Sequence, residues 1–322
     1  MLRRGDEMAD EERMIMESIV ARLKKGEVLI LDGATGSELQ RRGVDVNRGS
    51  VSGKLGVWSA AANLDAPDVV RRVHEDYLRV GAEIITSNNF YTSRGMLAMI
   101  QEENRWEEYT RRGGELAVEA RNAVNPKAYV AGGIAPPYTK DLHRQFEEQS
   151  RVLAAAGVDF MLPEYLGGDS VIESPLADCV TAVDACATAG LPVFLGVCLL
   201  QKNGKMLGGE TMADLAAALR GHPVEGIFLM CSYPEGITAA LPHLREAYDG
   251  PIGAYAHLGY DENPNYGRTP DEPYFNIEER GYTPERYAEF ARGWKKAGAQ
   301  VIGGCCATGP DHVAAVARAL KR

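Results

Sequence analysis

Eight short apolar runs, separated by helical stretches, pattern this 322-residue chain and leave few folds open to it. They span residues 28–31, 83–87, 129–134, 159–162, 193–198, 227–231, 252–257 and 300–304. Runs with no alternating polar face belong to strands buried on both sides, as in a parallel sheet. The intervening stretches are amphipathic and carry helix punctuation. Pro67 precedes the second helix, Thr211 heads the one after the fifth run, and Thr283-Pro284-Glu285 opens the seventh. Gly81, Gly157, Gly190 and Gly298 stand just before strands, where a helix must stop. Eight right-handed βα units in one chain favour a closed (β/α)8 TIM barrel over an open doubly wound sheet. The expected organisation is an N-terminal helical extension, residues 1–26, followed by a single barrel domain, residues 27–322.

Charge and composition narrow the function. A net charge of -10 argues against a polyanionic partner, so no nucleic acid is expected and the substrates should be small molecules. The first 25 residues mix acidic with apolar side chains and contain no continuous apolar stretch. They are read as neither a signal peptide nor a membrane span, which implies a cytoplasmic protein with no membrane partner. A homo-oligomer is left open. In a reducing compartment six cysteines are poor candidates for disulfides and better ones for metal binding or catalysis.

A barrel gathers the residues at the C-terminal ends of its strands on one face. Here those are Asp32, Gly33, Asn88, Asn89, Phe90, Tyr91, Glu164, Tyr165, Cys198, Cys231, His257, Cys305 and Cys306, with 135–138 at the third tip. Cys231, Cys305 and Cys306 supply three thiols, the donor set of a soft metal with a fourth position open. Neighbours in a regular strand point to opposite sides, so Cys305 and Cys306 can share an ion only where the strand breaks, and Gly303-Gly304 permits that break. Zinc is the expected ion. Iron–sulfur ligation would call for C-x2-C spacing, which is missing; buried thiols or an oxidised vicinal pair is the plainer alternative. Cys179 and Cys186, seven apart in an Ala-rich helical segment, read as core thiols, and Cys198 as a packed one. His257 reads as local structure. Zinc held by three thiolates suits a thiol substrate, because a coordinated thiol gives up its proton and stays nucleophilic. The irregular stretch 258–281 is either a cover for the barrel mouth or a surface loop.

Several of these motifs together resemble the homocysteine S-methyltransferase family, of the betaine and S-methylmethionine type. They are Asp32-Gly33-Ala34-Thr35-Gly36, Asn89-Phe90-Tyr91, the stretch 156–160 followed by Glu164, Cys231 with Pro234, and Gly303-Gly304-Cys305-Cys306. The likeness runs from about Leu29 to Leu320. It implies that Cys231, Cys305 and Cys306 ligate zinc and that homocysteine takes a methyl group from a donor to become methionine. Asp32, Gly33 and Glu164 then match the positions around the amino-acid substrate, the carboxylates facing its ammonium group, and Tyr91 with Tyr165 matches an aromatic pair facing a methylated cation. The implied donor is a small sulfonium or quaternary ammonium compound. Met230 and Ala307 depart from the family's usual Asn and Gly. Another thiol acceptor, or a zinc- or redox-sensing protein without turnover, remains open.

Overall fold

The computed structural model describes residues 17–50, 56–137, 140–168, 171–199, 203–258 and 281–321. Eight strands form, all parallel: β1 Leu29–Ile30, β2 Ile84–Thr86, β3 Tyr129–Ile134, β4 Phe160–Pro163, β5 Phe194–Cys198, β6 Gly226–Met230, β7 Ile252–Ala256 and β8 Ala299–Gly304. They run in two arcs, β1-β8-β7-β6-β5 and β2-β3-β4. Isolated bridges close both seams, Leu31 with Ile84 at one, and Met161 with Val193 and Leu166 with Val197 at the other. The ring is complete, and the chain is a (β/α)8 barrel. Every strand falls within one residue of its expected ends; β6 stops at Met230 because Cys231 leaves the sheet with φ 41°.

Alternation along the strands separates two cores. Leu29, Ile84, Ala131, Phe160, Phe194, Phe228, Tyr255 and Val301 fill the barrel, while Ile30, Ile85, Val130, Met161, Leu195, Ile227, Ala254 and Ile302 face the helices. Phe194 stacks on Phe228 at 5.2 Å and takes Phe160 edge-on at 5.1 Å, so the interior is packed rather than hollow. The helix Ile19–Lys24 closes the lower end, with Ile19 and Leu23 joining the interior cluster. Tyr129 Oη donates to the Glu17 carbonyl at 2.6 Å and fastens this plug. The opposite end, where the strands finish, is left for chemistry.

Helix ends follow the expected punctuation. Thr211 and Asp214 form a reciprocal capping box, Thr283 caps the helix Pro284–Lys296, and Pro67 starts the helix Pro67–Arg79. Gly81, Gly157, Gly190 and Gly298 all have positive φ, the conformation that terminates a helix cheaply only in glycine. Among the described residues no helix is long and apolar enough to cross a membrane.

His74, on the helix Pro67–Arg79, is wholly buried, and neither ring nitrogen has a hydrogen-bond partner among the described residues. Burial lowers its pKa from 6.5 to about 4. The unfolded chain therefore takes up a proton below about pH 6.5 that the native state refuses. Above that pH this group has no effect; as pH falls toward 4 it removes up to about 3 kcal/mol of stability. Urea midpoints of wild type and His74→Leu should change in parallel above pH 6.5 and diverge below it, wild type weakening faster. Parallel curves down to pH 4.5 would contradict this.

Candidate metal centre

Cys231 follows β6, and Cys305 and Cys306 follow β8, with β7 between them. Both sides lean on that middle strand: the Cys231 amide donates to the Tyr255 carbonyl at 3.0 Å, and the Cys305 amide to the Ala256 carbonyl at 2.9 Å. Cys306 Sγ lies 3.7 Å from Cys231 Sγ and 4.0 Å from Cys305 Sγ, and all three sulfurs fall within 4.8 Å of one another. Sulfurs about 2.3 Å from a tetrahedral zinc would be separated by about 3.8 Å. A disulfide would bring two of them to about 2.05 Å. The observed triangle has the dimensions of the first arrangement.

A tight turn beyond Gly304 lets adjacent cysteines face one point. Thr308 donates both its amide and its hydroxyl to the Cys305 carbonyl, at 3.0 and 2.6 Å. Ala307 has φ 67°, which explains why glycine suits this position; here the strain is held by a hydrogen bond from the Ala307 amide to Ser37 Oγ at 3.0 Å and by Arg41 on its carbonyl. Without a cation the thiols stay protonated. The Cys231 thiol is held well above the ordinary range by its two thiol neighbours and then by burial. At Cys305 the Cys231 thiol acts downward, but Cys306 and burial outweigh it. Three touching thiols resist becoming three anions, and a divalent ion at their centre removes that resistance. No other group of three metal-ligating side chains occurs among the described residues.

Two buried carboxylates stand near the thiols. Asp32 accepts the Thr86 amide at 2.8 Å and the Thr86 hydroxyl at 3.3 Å; Glu164 Oε2 accepts the Tyr255 hydroxyl at 3.2 Å. Burial, reinforced by Glu164, pushes the Asp32 carboxyl well above its usual range. Burial also raises Glu164 to about 8, with Cys306 adding to the effect. Glycines make the room: a Cβ on Gly133 would lie 2.8 Å from Glu164 Oε1, and one on Gly196 would lie 2.9 Å from Glu164 Cβ. Gly33 is a close-approach position too, since a Cβ there would meet Thr308 Oγ1 and Tyr77 Oη at 2.9 Å. Phe90 joins the two tyrosines, its ring 4.6 Å from Tyr91 and 5.7 Å from Tyr165. Tyr91 is 1% exposed, whereas Tyr165 is partly open and has φ 64°.

His257 is buried against Tyr233 at 4.6 Å, and burial lowers its pKa to about 4, so it stands as a neutral ring. It lies outside the thiol triangle. Cys198 is buried and directs its thiol to the Cys231 carbonyl at 3.3 Å. Cys179 and Cys186 lie in the helix Pro175–Ala187 and are inert: burial raises both thiols, Cys186 to about 12. Residues 259–280 and Tyr138 lie outside the described residues.

Sequence reasoning missed Thr86 and Tyr255, each two residues before a named tip, and gave Ser232, beside Cys231 at the sixth tip, no role; the two-residue alternation of β2 and β7 was the signal that marked Thr86 and Tyr255 as inward-facing.

Residues 29–320 match the homocysteine S-methyltransferase family. The chain is 32% identical to the homocysteine S-methyltransferase of Escherichia coli strain K12, over 92% of this chain and 96% of that protein. It is 28% identical to the betaine–homocysteine S-methyltransferase 1 of Bos taurus, over 95% of this chain and 75% of that one. In three dimensions it resembles the metallated crystal form of the Escherichia coli homocysteine methyltransferase MmuM, with a TM-score of 0.71, 25% identity, and coverage of 92% and 98%.

Proposed function

The chain belongs to the homocysteine S-methyltransferase family, and on that footing we propose that it transfers a methyl group from a small sulfonium or quaternary ammonium donor to the sulfur of homocysteine, giving methionine. The observation that carries this reading is the triangle of Cys231, Cys305 and Cys306 at the barrel mouth. Its spacing and its surplus of mutually opposed thiols fit zinc. When bound, zinc would deprotonate an incoming thiol and keep it nucleophilic at neutral pH.

The remaining roles belong to the chain. Cys231, Cys305 and Cys306 would hold the ion. Asp32 and Glu164 receive the ammonium group of homocysteine, which supplies the positive charge that lets both buried carboxyls ionise. Gly33 lets the backbone approach that group. Tyr91 and Tyr165, bridged by Phe90, offer ring faces to a methylated cation. A cationic donor leaves as a neutral molecule and needs no proton, which agrees with the neutral ring of His257 beside the thiols. We take residues 27–322 as the catalytic domain and residues 1–26 as an N-terminal extension, of which 1–16 lie outside the described residues; the cytoplasm, where thiols stay reduced, is the proposed setting.

Zinc-loaded protein with homocysteine should form methionine from at least one of S-methylmethionine and betaine, and none from methyltetrahydrofolate. Alkylation of other thiols but not of homocysteine would point to a different acceptor. Tight zinc with no turnover on any donor would favour a sensor.

A further inference from the structure

We infer that two buried hydroxyls, Tyr287 below Cys305 and Cys306 and Ser232 beside Cys231, are positioning residues that hold the thiol triangle in shape before any ion arrives. This rests on the metal reading above. Tyr287 lies on the helix Pro284–Lys296 and is 1% exposed. Its Oη accepts the Ala256 amide at 3.0 Å and lies 2.8 Å from the Gly303 carbonyl and 3.1 Å from the Ala256 carbonyl. The single hydroxyl proton goes to Gly303, the nearer acceptor, since the Ala256 carbonyl already takes the Cys305 amide at 2.9 Å.

Ala256 stands opposite Gly304 in the β7–β8 register. In such a parallel pair the residue 256 amide is aimed at the residue 303 carbonyl. The phenol therefore bridges the last rung of the ladder before the thiols. Its ring is gripped edge-on by Trp294 at 5.6 Å and His312 at 5.9 Å, which fixes where the hydroxyl sits. Just beyond that rung the Leu258 amide reaches the Cys306 carbonyl at 3.0 Å, so a shift of β7 against β8 would be felt at both cysteines.

Ser232 does the equivalent work on the other side. Its Oγ accepts the Leu199 amide and donates to the Met230 carbonyl, each at 2.6 Å, tying the end of β6 to the end of β5. Its carbonyl accepts the His257 amide at 3.2 Å. Between these fixed points Cys231 holds φ 41°, a conformation that is strained in a non-glycine residue and persists only where the surroundings impose it. Neither hydroxyl is a metal ligand; each acts through the backbone that carries one.

The test compares zinc-loaded wild type with Tyr287→Phe, Ser232→Ala, Ser232→Thr and a packing control, Phe146→Leu on the helix Leu142–Ala156. Two quantities are read: zinc release to excess chromophoric chelator, and the charge-transfer and d–d bands of cobalt-substituted protein. Tyr287→Phe and Ser232→Ala should each release zinc about tenfold faster and shift the cobalt bands while keeping the wild-type circular dichroism. Ser232→Thr, which retains a hydroxyl, should stay near wild type, and Phe146→Leu should release zinc at the wild-type rate despite lower stability. Either hydroxyl deletion alone suffices if the other variant does not fold. Wild-type release and spectra in both deletions, or equally fast release from Phe146→Leu, overturn the inference. Wild type that takes up no metal overturns the metal reading together with it.

Discussion

Serine in place of Cys306 should abolish metal retention and methyl transfer together. Cys306 is the shared corner of the triangle, 3.7 Å from one sulfur and 4.0 Å from the other. Structural zinc sites bind with about 10–16 kcal/mol over four ligands, or about 3 kcal/mol per ligand. Removing one should weaken zinc by roughly a hundredfold or more, and a serine hydroxyl, harder and far less acidic than a thiol, does not replace it. Zinc content after dialysis against a mild chelator should fall from near one per chain to near zero, with activity following. Cys186→Ser is the contrast, because that thiol is buried in a helix away from the triangle and should leave zinc content unchanged. A Cys306→Ser protein with full zinc and full activity would contradict the ligand set.

The second large effect concerns the amino-acid end of the acceptor. Glu164 is raised to about 8 by burial, so near neutral pH the empty site holds it largely protonated. An arriving ammonium group favours the carboxylate, and binding should release a proton. Apparent affinity for homocysteine should therefore improve as pH rises toward 8. Glu164→Gln removes the charge but keeps the shape and the capacity to accept from Tyr255. Loss of a buried charge pair costs about 3 kcal/mol, which corresponds to roughly a hundredfold rise in KM for homocysteine with a smaller change in kcat. The Gln variant should also lose the part of the pH dependence that belongs to this group. Unchanged KM and an unchanged pH profile would place the ammonium elsewhere.

The barrel was legible because its physics is periodic. Eight short, nearly all-apolar runs and glycines at four helix ends admit little else, and each of those glycines has the positive φ that its position demands. The thiol triangle was legible only once the barrel brought residues 231 and 305 together, as no local pattern links them. What escaped was everything set by backbone geometry rather than residue type. Cys231 leaves its strand at φ 41°, and the residues that hold it, Ser232 and Tyr255, look unremarkable in the sequence. Tyr287 reads as one more apolar residue on an amphipathic helix, yet its hydroxyl reaches through to the strands. Met230 was noted as a departure from the family; its place is the barrel interior, opposite Cys198, where an apolar sulfur packs rather than bonds.

Zinc X-ray absorption, recorded before and after adding homocysteine, tests the proposed chemistry most directly. The resting protein should show three sulfurs at about 2.3 Å and one lighter neighbour, and homocysteine should replace that neighbour with a fourth sulfur. A shell with fewer than three sulfurs, or one that homocysteine leaves unchanged, would contradict activation of the acceptor at this centre.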